Sequence, residues 1–160
     1  MSRTGVELWL FLSGVAVFTL TAAFLDWRHR RIPNALSVAA LAIGLIFRIT
    51  TEGLPGLGDA LGGFAVGFGS LLLVWSMGGG GGGDVKLMGA LAVWLGTRQT
   101  ASVLVLSAVL AFAFTLFHGA FLRTKLTVSE SEPRPRRRVA VAFAVPVAIA
   151  TWMMIGIKLL

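Results

Sequence analysis

The chain has 160 residues, of which 56% are hydrophobic and only 13% charged, with a mean hydropathy of +0.86. A soluble domain would carry about 25% charged residues, so this composition excludes one and points to a single membrane domain over residues 1–160 with no separate soluble module. The absence of cysteine excludes disulfides, thiolate zinc sites and Cys nucleophiles, and the net charge of +7 is read as basic loops held against anionic lipid, not as a nucleic-acid footprint.

Six apolar runs follow in chain order, at residues 6–25, 35–49, 60–77, 85–96, 101–122 and 139–160. Crossing ~30 Å of hydrocarbon at 1.5 Å per residue takes about 20 residues. The first, fifth and sixth runs are long enough, the third nearly so, and the second and fourth are short. The fourth either extends into its flanks or is a partly embedded helix shielded by the others. The expected fold is an all-α, multi-pass transmembrane bundle of about six helices. The first run resembles a signal peptide only in its small residues, Thr21, Ala22 and Ala23. Positive charge follows it where a cleaved leader would carry that charge in front. Gly63 and Gly67 have the small-xxx-small spacing that lets helices approach closely in lipid.

The basic residues set an expected orientation. With the N-terminus outside, ten fall on cytoplasmic segments: Arg28, Arg30, Arg31, Lys86, Arg123, Lys125, Arg134, Arg136, Arg137 and Arg138. Arg3, Arg48, Arg98 and Lys158 fall outside. Cytoplasmic loops carry the excess of Lys and Arg, so N-out and C-out in the cytoplasmic membrane is expected. Residues 123–138, with Pro133 and Pro135, are read as a flexible cytoplasmic linker.

Seven acidic residues remain to be judged. Glu7, Glu52, Glu130 and Glu132 are read as solvated. Asp26 closes the first run among arginines, where alone it is an ordinary juxtamembrane charge. Asp84 follows six consecutive glycines, residues 78–83, and precedes Val85-Lys86-Leu87. It reads either as the N-cap of the fourth helix after a flexible linker, or as an acid beside a backbone stripped so that an extended peptide can lie against it. Gly56-Leu57-Gly58-Asp59 repeats the G-x-G-D string of Gly81-Gly82-Gly83-Asp84, but topology places Asp59 on the outer side, where it is read as an N-cap. Of the two histidines, His29 is a loop cation and His118 is read as an interior histidine, not a metal ligand.

Asp26 and Asp84 fall on one face of the bilayer in this topology. Two carboxyl groups held close cannot both ionise, so they share a proton. The ionised member takes a proton from water attacking a peptide carbonyl, and the protonated member donates to the carbonyl oxygen. Neither metal nor cofactor is needed. Lys86 and the arginines near Asp26 lower the aspartate pKa values and burial raises them, a balance the residues leave open. A non-enzymatic scaffold or small transporter subunit, and an inactive binder, remain alternatives. A transporter would show internal repeats and midplane charges, and neither motif has a second copy.

The motif Asp26 with Arg30-Arg31-Ile32-Pro33-Asn34, joined to Gly81-Gly82-Gly83-Asp84-Val85-Lys86-Leu87, resembles the type IV prepilin peptidases, the G-x-G-D class of intramembrane aspartic proteases. The stretch Pro146-Val147-Ala148-Ile149-Ala150 resembles the family's last helix, with Val147 where an aromatic is expected. The resemblance implies that Asp26 and Asp84 form the catalytic pair at the cytoplasmic face. It also implies that Gly81, Gly82, Gly83, Lys86, Arg31, Pro33 and Asn34 shape the site, and that the partner is a pilin-like membrane precursor cut just before its hydrophobic helix. Bifunctional members carry a cytoplasmic insert with paired CxxC motifs and methylate the product. Here residues 26–34 form the whole first loop and cysteine is absent, which resembles the short, peptidase-only form of tight-adherence (Flp) pili.

Overall fold

The computed structural model describes residues 5–29, 32–78, 81–125 and 144–159, and at 27, 117–125, 158 and 159 the backbone alone. The described residues form five helices, α1 (Gly5–His29), α2 (Asn34–Ser76), α3 (Gly82–Leu95), α4 (Thr97–Lys125) and α5 (Ala144–Leu159). The six expected runs map onto these five because α2 takes in both the second and third. Most of the expected linker, and the side chain of His118, lie outside the described residues.

A straight helix of 43 residues would extend about 65 Å, twice the hydrocarbon thickness. It is broken at Gly53, whose φ of 66° and ψ of −150° are non-helical and belong to a region open essentially to glycine alone. Pro55 comes next inside the second limb, where its missing N–H falls in the first turn after the break. The chain reverses at this point. Arg48 before the break pairs with Asp59 after it, while at the far ends Ile32 and Trp75 lie beside Gly83 and Gly82. Residues 34–52 and 54–76 therefore run as two antiparallel limbs.

Both limbs bury a row of small residues at three- and four-residue spacing: Ser37, Ala40 and Gly44 before the break, and Gly56, Ala60, Gly63 and Gly67 after it. That spacing lines up one helix face. Gly63 and Gly67 press on Ala92, such that a Cβ on Gly67 would stand 2.8 Å from the Ala92 methyl. In lipid, where apolar burial gives helices no mutual preference, such close backbone approach is what associates them.

The helix so clasped is α3. Every residue from Val85 to Leu95 except Lys86 is buried, so its 14 residues form the bundle's axis instead of facing lipid. Trp94 anchors it. Its indole N–H donates to the Ala40 carbonyl oxygen at 2.9 Å, its ring stacks on Phe47 at 5.5 Å, and Gly14 and Gly44 leave it room. α1, the first half of α2 and α5 close the same core through Phe11, Val15, Ala40 and Val147. α5 is tied to α1 where the Trp152 indole donates to Thr19 Oγ1 at 3.3 Å.

Candidate functional site

The register of α1 against α3 brings Asp26 level with Asp84. Gly14 of α1 meets Trp94 near the end of α3, and the two helices run in opposite directions from there. Asp26 lies twelve residues on along α1 and Asp84 ten residues back along α3, which is about 18 Å and about 15 Å of helix. The two acids thus reach the same end of the bundle, where Ile32 also packs against Gly83.

Asp84 precedes the apolar run of α3. It is the third residue of the helix, and Gly81, in extended conformation at φ −106° and ψ 144°, stands as its N-cap. The Gly81 N–H donates to Asp84 Oδ2 at 3.1 Å, half of a capping box. Asp84 is therefore not itself the N-cap; a carboxylate one turn in also meets the positive end of the helix dipole. Burial nevertheless pushes its pKa from the ordinary 3.8 up to about 6, opposed by the Gly81 N–H and reinforced by the charge of Asp26. Burial outweighs the hydrogen bond because a half-buried carboxylate loses most of its water and regains one donor. The contribution from Asp26 also means the two carboxyl groups lie within electrostatic reach of each other. One carboxylate oxygen of Asp26 is out of contact with solvent.

The remaining expected residues distribute around this pair. Gly82 and Gly83 form the first turn of α3, with Trp75 Nε1 3.7 Å from where a Gly82 Cβ would stand. Lys86 is exposed on the same turn. Pro33, at φ −61° and ψ 138°, is the N-cap of α2, and Asn34 is its exposed first residue. Arg31 lies outside the described residues.

The second G-x-G-D string is taken up differently. Asp59 sits at the opposite end of the bundle and does not cap its own helix. Its Oδ1 accepts the Thr97 N–H at 2.9 Å, capping α4, and its Oδ2 accepts from Arg48 at 3.0 Å. Arg48, read from sequence as an outer-side cation, is only 4% exposed and also pairs with Glu52. Glu52 is thus not simply solvated. Its place four residues after Arg48, before a glycine, was the available signal; Asp59 as the second partner depends on the reversal at Gly53.

Among the described residues, three helices long and apolar enough to cross a bilayer, packed around a buried axial helix with two acids at one end, define an integral membrane protein of the all-helical class. The chain belongs to the type IV leader peptidase family, whose model matches residues 13–116. It is similar to the prepilin leader peptidase/N-methyltransferase of Escherichia coli (strain K12), at 29% identity over 69% of this chain and 52% of that protein. The prepilin leader peptidase/N-methyltransferase of Xanthomonas campestris pv. campestris is 29% identical over 59% of this chain and 35% of its own length. The chain thus spans about half or less of the curated relatives it matches. No solved structure matches it.

Proposed function

We propose that this protein is an aspartic endopeptidase that removes the leader from pilin-like precursors at the cytoplasmic face of the inner membrane. The observation that carries this reading is the mutual influence of Asp26 and Asp84, in a chain of the type IV leader peptidase family. Burial favours the protonated form of Asp84, so Asp84 is assigned the role of proton donor and Asp26 that of base. Asp26 takes a proton from water as the water oxygen bonds to the scissile carbonyl carbon, and Asp84 donates its proton to the carbonyl oxygen. In the collapse of the tetrahedral species the C–N bond breaks, the amine leaves with the proton gathered by Asp26, and Asp84 recovers its own. The pair returns to its starting state without metal or cofactor.

Gly81 in extended conformation and the glycines beside it offer a backbone edge on which an extended leader junction can lie. Pro33, Asn34 and Lys86 border that edge, and Arg31 joins them by its place in the motif. The absence of cysteine and the short first loop favour cleavage without N-methylation. The excess of basic residues on segments flanking the acids favours an N-out topology.

The test is co-expression with a pilin-like precursor and detection of the trimmed product. Asp26→Asn and Asp84→Asn are each expected to abolish trimming, because members of a catalytic pair act as a unit. Wild-type trimming by both variants would remove the reading.

A further inference from the structure

Asp84 is carried on the first turn of α3, so its position follows that of the helix. Before that turn stands Gly81, whose N–H donates to Asp84 within it. The second limb of α2 meets α3 closely, with Gly63 and Gly67 against Ala92 and the Phe64 and Phe68 rings over Gly89. Trp94 holds α3 from within, through its bond to Ala40 and its stacking on Phe47, and the junction with α4 must be held as well.

The polar contacts at its other end do so. Arg48 Nε donates to the Val93 carbonyl oxygen at 3.3 Å, Nη2 to Asp59 at 3.0 Å, and Nη1 to Glu52. Asp59 in turn accepts the Thr97 N–H, while Thr97 Oγ1 donates to the Asp59 carbonyl oxygen at 3.1 Å. Gly96, at φ 78°, joins α3 to α4 between these contacts, and a side chain there would collide with both Asp59 and Arg48. The guanidinium thus grips the last turn of α3 and the carboxylate grips the first residue of α4. Both are held by the α2 reversal, which is itself folded at Gly53.

We infer that Arg48, Asp59 and Thr97 form a latch that sets the axial position of α3, and through it the approach of Asp84 to Asp26 about 18 Å away. These are positioning residues, and their link to catalysis rests on the peptidase reading. One residue of slippage moves Asp84 by about 1.5 Å, and a misplacement of about 1 Å can cost on the order of 100-fold in rate.

Because the chain has no cysteine, pairs of introduced thiols report the register directly in membranes. The pair Ile32→Cys with Gly83→Cys spans the acid end, where a Gly83 Cβ would stand 3.8 Å from Ile32 Cγ1. The pair Thr19→Cys with Trp152→Cys spans α1 and α5, away from the latch. On oxidation, Asp59→Asn and Thr97→Val are each expected to slow the first cross-link about tenfold, since disulfides demand close geometry, and to leave the second unchanged. Thr97→Ser, which keeps the hydroxyl, is expected to restore the wild-type rate. Where leader trimming is measured, kcat falls about 100-fold with KM little changed. An unchanged first cross-link in both latch variants overturns the inference, as does equal slowing of both pairs, which would mean a general loosening of the bundle. Trimming that survives Asp84→Asn removes the peptidase reading alone, because the cross-links decide the latch independently.

Discussion

Replacing Asp84 by Asn is expected to stabilise the protein at neutral pH and to leave it unchanged in acid. The carboxyl's rise from 3.8 to about 6 corresponds to roughly 3 kcal/mol of differential interaction between its two protonation states. Asp84 keeps partial solvent contact, so screening reduces this to about 1–2 kcal/mol. The folded chain holds this proton more tightly than the unfolded chain, so stability falls as pH rises from about 4 through about 6 and then levels off. Asn carries no charge at any pH and its side-chain oxygen can still accept the Gly81 N–H. The variant therefore matches wild type below about pH 4 and exceeds it by about 1–2 kcal/mol above about pH 6.5. Reversible unfolding in mixed micelles, followed by helical circular dichroism between pH 4 and 8, measures the difference. In an Asp26→Asn background the gain should shrink without vanishing, because burial is the larger cause and the charge of Asp26 the smaller. A variant less stable than wild type at pH 7, or a difference that does not change with pH, would refute the reasoning.

Three further substitutions test the scaffold by the same unfolding measurement, and a fourth tests the latch. Gly53→Ala forces an L side chain into φ 66°, ψ −150° and should cost about 1–3 kcal/mol. Gly58→Ala, in open space within the same helix, should be neutral or stabilising by up to about 1 kcal/mol. Gly44→Ala would place a Cβ 2.6 Å from Trp94 Nε1 and should cost about 1–3 kcal/mol, with a change in tryptophan fluorescence that is absent when Trp94 is already Phe. Asp59→Asn should cost about 1–2 kcal/mol at pH 7, below the range for a fully buried pair, because the Asp59 side chain is 46% exposed and Arg48 retains Glu52.

The helices were legible because apolar runs bounded by charge are a direct consequence of hydrocarbon thickness, and each run has its helix in α1 to α5. The reversal was legible only as the gap between the second and third runs; that Gly53 makes it was not read from the sequence. The occupant of the axis was not legible either. The fourth run is the shortest of the six, yet its helix is the most buried, because the small residues that receive it, Gly14, Gly44, Gly63 and Gly67, are scattered over separate segments. Burial of Arg48 was hidden for a related reason. A cation between two apolar runs reads as a loop residue until the fold supplies a second carboxylate from across the turn.

The repeated G-x-G-D string shows why a motif needs its electrostatic surroundings. Both aspartates stand at ends of α3, and both accept a backbone N–H near a helix N-terminus, Gly81 for Asp84 and Thr97 for Asp59. They differ in the charge they face. Asp59 meets a buried guanidinium, so its ionised form is compensated and its removal strands a cation. Asp84 is largely withdrawn from water and also meets another carboxyl group, so its ionised form is opposed first by burial and then by repulsion, and its removal relieves both. The same Asp→Asn change is therefore expected to destabilise at one end of the helix and stabilise at the other. On the proposed reading, a carboxyl whose burial and neighbour both favour its protonated form is suited to donate that proton, and the stability it forgoes at neutral pH accompanies that role.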